Sequence, residues 1–163
     1  MTGTITQLQQ SGYRINYVFW HQGEIDYVLN TDEEAYRLGL RSMVETLRKA
    51  GVGAPIYISI ASKCLEPSNG GEKVHELDNP VTRAQSALPA SMPGLVTGVN
   101  TDVLLEEVDR YDDCHFSGSG ARKVVDAWMT ILMRDRRQDG RFEQTSDAVT
   151  ATDGTSSGAR GND

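Results

Sequence analysis

Three short apolar runs constrain the fold more than any other feature: Arg-Ile-Asn-Tyr-Val-Phe-Trp at positions 14–20, Pro-Ile-Tyr-Ile-Ser-Ile-Ala at 55–61 and Leu-Val-Thr-Gly-Val at 95–99. The first two are too continuously apolar and β-branched for a strand with one wet face, so they read as strands covered on both faces, as in a parallel sheet. Between them, Thr31-Asp32-Glu33-Glu34 has the form of a capping box, and Tyr36, Leu40, Met43, Val44 and Leu47 recur at helical spacing until Gly51. A second helix over residues 80–88 puts Val81, Ala84, Gln85 and Leu88 on one face and leads through Pro93 into the third run. Strand, helix, strand repeated in this way implies βαβ crossovers and a layered α/β fold.

Other segments fill in the frame. Ile5 and Leu8 up to Gly12 form the end of a helix, with Gly12 suited to the left-handed terminating residue; a helix arriving first implies a strand before it. The loop at 62–72 contains Pro67, Asn69, Gly70 and Gly71, which resist regular structure. Ser117 is placed to cap a last helix in which Val124, Val125, Trp128, Ile131 and Leu132 make the buried stripe, and Arg134, Arg136 and Arg137 suit its C-terminal dipole. Residues 1–137 are therefore expected to form the domain. Residues 138–163, rich in Gly, Ser, Thr and Asp with Phe142 the lone large apolar residue, are expected to form a disordered tail.

Charge excludes one class of partner. A net charge of -7 over 163 residues leaves no cluster of Lys and Arg to displace counterions from a phosphate backbone, so nucleic acid is not an expected ligand. The apolar runs fall far short of the roughly 20 residues that a membrane helix needs. The N-terminus lacks the basic head and apolar stretch of a signal peptide, which implies a cytoplasmic protein as written and an exported one if a signal lies upstream.

Two polar constellations carry the chemistry. In Asp112-Asp113-Cys114-His115-Phe116-Ser117 a carboxylate precedes a histidine by three positions, a spacing that lets the two side chains meet. An aspartate that accepts a hydrogen bond from one imidazole nitrogen fixes the tautomer and leaves the other nitrogen to take a proton from a serine hydroxyl. On that reading His115 is the base and Asp112 its orienting partner; the plainer reading is a pair of capping or surface residues.

The second constellation, Trp20-His21-Gln22-Gly23-Glu24-Ile25-Asp26, follows the first strand, where an open parallel sheet places its ligand crevice. The Gln22 amide suits an oxyanion hole, Gly23 allows close approach, and Glu24 and Asp26 hold the loop. A polar turn whose acids bond nearby backbone amides is the alternative. His21, His75 and His115 show neither H-E-x-x-H nor a cysteine pair at finger spacing, so no metal is expected.

Together these segments resemble a family. Trp20 to Asp26 is similar to the W-x-Q-G-E-x-D block of the sialate O-acetylesterase-like and acetylxylan esterase-like branch of the SGNH/GDSL hydrolases, and Asp112 to Ser117 resembles its D-x-x-H-[FL]-S block. Val81-Thr82-Arg83-Ala84-Gln85 resembles the V-x-x-A-Q segment, and the resemblance covers roughly residues 12–133. It implies a flavodoxin-like three-layer α/β/α sandwich, a Ser-His-Asp apparatus without cofactor, and a small-molecule or polysaccharide acetyl ester as substrate. It also implies catalytic roles for His115 and Asp112, and the oxyanion role for Gln22.

One part of the pattern is missing. The family's nucleophile follows the first strand in a G-x-S or G-D-S turn, and no such block stands before Gln22; Ser11 sits at a helix end. The expectation is a hydrolase part whose serine is encoded upstream and which is inactive alone, against the rival of a non-catalytic remnant or carbohydrate-binding module. Cys64 and Cys114 fall after the second strand and inside the His115 loop, so both a disulfide bracing that loop and two free thiols are open.

Overall fold

The apolar runs do become parallel strands. The computed structural model describes residues 2–64, 75–112 and 114–138. Within these, β1 (Val18–Trp20), β2 (Ile56–Ile60) and β3 (Leu95–Asn100) form an open sheet in the order β1-β2-β3, with Val18 opposite Ile56 and Ile56 opposite Leu95. The helices are α1 (Thr2–Gln10), α2 (Glu24–Val28), α3 (Glu33–Lys49), α4 (Pro80–Ser91), α5 (Thr101–Leu104) and α6 (Gly118–Gln138), with a 3-10 turn at Glu107–Asp109. Helices lie on both sides of the sheet, and this α/β layering is consistent with a flavodoxin-like arrangement.

One face of the sheet carries the main core. Ile56, Ile58 and Leu95 pack there with Tyr36, Leu40, Val44 and Leu47 of α3 and Val81, Ala84 and Leu88 of α4. On the other face Phe19 and Tyr57 meet the Trp128 ring of α6, with centroids 4.8 and 6.0 Å away. Gly98 makes that contact possible, since a Cβ there would lie 2.5 Å from Trp128 and 2.9 Å from the Ile58 carbonyl.

Several sequence expectations shift for identifiable reasons. The first strand spans three residues, and Phe19 remains 47% exposed, because β1 is an edge strand and its aromatic face is only partly covered. Asp32, not Thr31, caps α3 by accepting from Ala35 N at 2.8 Å; the Thr31 hydroxyl donates instead to Asp26, 2.9 Å away. In α6 Val124 is buried as its spacing requires, but Val125 is 58% exposed and does not join the stripe.

Residues 2–131 belong to one compact unit; a second begins at Leu132 and continues α6 to Gln138. Of the tail expected at 138–163, Gln138 is the last residue of α6 and 139–163 lie outside the described residues, as do residues 65–72 of the loop expected at 62–72.

Candidate functional site

All three strands point their carboxyl ends at the same region, where an open α/β sheet gathers its functional groups. From β1 come His21 to Asp26, from β2 Ser62 to Cys64, and from β3 Thr101 and Asp102; the 110–116 segment closes over them.

The turn after β1 is built around Gly23, whose φ of 155° and close approach suit no larger residue: an added Cβ would lie 2.1 Å from Ala61 O and 2.6 Å from Gln85 Nε2. Gln85, fully buried on α4, clasps this turn by donating to Gln22 O at 2.7 Å and Ala61 O at 3.0 Å while accepting from Ala61 N at 2.9 Å. The Tyr36 hydroxyl, which donates to Gln22 O at 2.8 Å, completes the clasp; burial raises its pKa. The Gln22 side chain donates one N–H to Asp26, and Asp26 in turn accepts from Thr31.

The second expected pair meets in space. Asp112 Oδ2 is 2.7 Å from His115 Nδ1, and its Oδ1 accepts from His115 N at 2.7 Å and Cys114 N at 3.2 Å. The His115 backbone N–H is the chief cause that holds the Asp112 carboxyl below the usual carboxylate range, against a smaller opposing effect of desolvation and with help from the His115 ring. An ionised Asp112 accepts only, so His115 Nδ1 is the donor, and in the neutral ring Nε2 is an acceptor with no partner among the described residues. The ring is 67% exposed and stacks on Tyr111.

Gln22, Glu24 and His115 line one cavity of about 500 Å³ together with His21, Ile25, Val28, Phe116 and both cysteines. Gly23, Asp26 and Asp112 are not among its described lining residues. Glu24 pairs with His21 at 3.0 Å. Burial pulls its carboxyl upward, but His21, the Glu24 amide and the Arg110 charge outweigh that and hold it below the ordinary value.

Cys64 and Cys114 are bonded to each other, which ties the start of the loop after β2 to the His115 segment. Buried Arg110 braces the same segment: it donates to Cys114 O, lies 5.6 Å from the Phe116 ring and faces Asp102 at 4.0 Å. Burial lowers its pKa, while Asp102, Glu24 and Asp109 oppose this, and its Nε has no partner among the described residues.

A second serine, histidine and aspartate cluster lies underneath, and sequence spacing gave no sign of it. Ser62 Oγ is 2.8 Å from His75 Nε2, 2.7 Å from Asp102 Oδ2 and 2.9 Å from Asn79 Nδ2. A hydroxyl has one proton, and that of Ser62 goes to Asp102, which also accepts from Ser62 N and Lys63 N. Both Asn79 and His75 must therefore donate to Oγ. Burial lowers the His75 pKa, with Asp102 opposing, so the ring sits neutral with its proton on Nε2. That tautomer cannot deprotonate Ser62, which is fully buried besides; the cluster is a brace at the root of the Cys64 loop, not a nucleophile and its base.

Comparison with protein-family models, curated proteins and solved structures found no match to this chain. The site's meaning rests on its residues and geometry.

Proposed function

We propose that this chain is the histidine- and aspartate-bearing module of an ester hydrolase, with O-acetylated carbohydrates the substrate class that the family resemblance implies. The observation that carries the reading is the doubly anchored Asp112–His115 pair at the wall of a cavity that also holds Gln22. In the proposed reaction, His115 Nε2 takes the proton of a serine hydroxyl as that oxygen attacks the ester carbonyl, then returns it to the leaving alcohol. Asp112 stabilises the imidazolium between the two transfers. The second N–H of the Gln22 amide stabilises the oxyanion.

No described serine hydroxyl is hydrogen-bonded to His115: Ser62 serves Asp102, while Ser117 and Ser119 bond to each other at the start of α6. In this reading the nucleophile is the serine that the family pattern puts ahead of the Gln22 block. The same observation favours a second reading, a non-catalytic remnant or carbohydrate-binding module of the same fold.

The two readings separate on the genomic sequence upstream of Met1 and on one assay. An in-frame strand followed by Gly-x-Ser supports the hydrolase, and a stop codon immediately upstream supports the remnant. With the upstream segment expressed in place, release of acetate from acetylated sugars and from p-nitrophenyl acetate should fall at least about a thousandfold in His115→Ala. Equal rates in parent and variant defeat the proposal.

A further inference from the structure

We infer that the cavity beside His115 prefers a neutral ester bearing a compact hydrocarbon or aryl group to sugar esters, anionic ones above all; this rests on the ester-hydrolase reading and departs from the carbohydrate substrate class that the resemblance implies. Much of the described lining is hydrocarbon and sulfur: Ile25, Val28 and Phe116 with the Cys64–Cys114 disulfide, around a space of about 500 Å³. Ile25 is 54% exposed and offers its side chain to whatever enters. A group of this chemistry gains by leaving water, and the wall asks nothing polar of it.

Several polar atoms of the described lining already have partners. His21 and Glu24 answer one another. The Gln22 amide oxygen lies 3.2 Å from the Tyr36 hydroxyl, one of its N–H groups goes to Asp26, and His115 Nδ1 goes to Asp112. His115 Nε2 and the second Gln22 N–H are the two groups that the ester-hydrolase reading assigns to the ester itself. A sugar ring would bring several hydroxyls that give up water and find no partner on this wall.

Charge points the same way. Glu24 is held ionised, and the lining includes neither Lys nor Arg among the described residues. Arg110 sits beyond the Phe116 ring, and its charge faces Asp102. A ligand carboxylate in the cavity would lose its water beside Glu24, with no Lys or Arg of the described lining to pair with it.

Titration of the ¹⁵N-labelled 163-residue chain tests this without any turnover. The probes are benzyl acetate as a neutral aryl ester, an acetylated methyl xyloside as a neutral sugar ester, and 9-O-acetyl-N-acetylneuraminic acid as an anionic one. Benzyl acetate should shift the Ile25 and Phe116 amides and bind at least tenfold more tightly than either sugar. Ile25→Asn should weaken benzyl acetate about tenfold, with thermal unfolding confirming that the variant is folded. Glu24→Gln should tighten the anionic ester severalfold. The inference falls if either sugar binds as well as benzyl acetate, if Ile25→Asn leaves its affinity unchanged, or if benzyl acetate does not bind at all. Sugar preference with His115-dependent hydrolysis intact removes this inference alone. Tight benzyl acetate binding with no such hydrolysis by the serine-supplied protein removes the hydrolase reading instead.

Discussion

Replacing Gly23 by alanine should cost about 3–5 kcal/mol of folding stability, several times the effect of an ordinary surface change. The added methyl would stand 2.1 Å from Ala61 O, 2.6 Å from Gln85 Nε2 and 2.9 Å from Val81 Cγ1, so relief requires a movement of roughly 1 Å against a backbone carbonyl in a close-packed interior. Overpacking of this kind costs about 1–3 kcal/mol. Moving the turn also stretches the Gln85 bonds to Gln22 O and Ala61 O, each worth about 1 kcal/mol, and alanine at a φ of 155° adds backbone strain of about 1–3 kcal/mol. The three costs overlap, because movement that relieves the clash also relieves strain, hence the total given. Urea unfolding followed by far-UV circular dichroism measures it, with Gly39→Ala as control. Gly39 lies in α3 with nothing within 4 Å of a new Cβ, so alanine there should stabilise by about 1 kcal/mol. A Gly23→Ala loss under about 1 kcal/mol would refute the claim that this turn is locked against Ala61 and Gln85.

Three further outcomes follow from the same geometry. The Cys64–Cys114 bond closes a loop spanning 50 positions and should contribute about 4 kcal/mol by constraining the unfolded chain; the double serine variant reads this in urea, and two free thiols in denatured, unreduced protein would show that the bond is absent. Because burial lowers the His75 pKa, the unfolded chain binds a proton near pH 6.5 while the folded protein resists it. Stability is therefore complete above about pH 6.5 and falls as pH drops towards the lower folded value, and His75→Asn should flatten that slope; an unchanged slope in the variant contradicts the assignment. Tyr36→Phe removes the hydroxyl that donates to Gln22 O and accepts from Gln85, and should cost about 1–3 kcal/mol in the same unfolding assay, whereas no loss would mean that the clasp around Gln22 is not a stabilising unit.

Much of the scaffold was legible because it depends on local pattern. Continuous apolar runs located all three strands, and the spacing of Tyr36, Leu40, Met43, Val44 and Leu47 located α3, since period alone decides which residues face the core. The Asp112–His115 contact was legible for the same reason: three positions of separation suffice to join the side chains. What escaped depends on partners distant in sequence. Thr31 has the composition of a cap, yet its hydroxyl is drawn to Asp26 and the neighbouring Asp32 takes the role. The five-residue α2 has no side-chain cap and no buried residue to announce it. Ser62, His75, Asn79 and Asp102 converge across as many as 40 positions, and buried Arg110 acquires its meaning only once Asp102 and Cys114 lie beside it. Val125 differs from Val124 only in which way a half-covered helix turns, and periodicity does not specify how much of a face its neighbour covers.

The central claim is that Asp112 holds His115 as a base with its Nε2 open at the cavity. Its most direct test is the ¹⁵N chemical shift pair of the His115 ring at neutral pH, recorded for the parent and for Asp112→Ala. The account predicts a parent ring protonated at Nδ1 and unprotonated at Nε2, and loss of that preference in the variant. A parent ring protonated at Nε2, or a tautomer indifferent to Asp112, would contradict it.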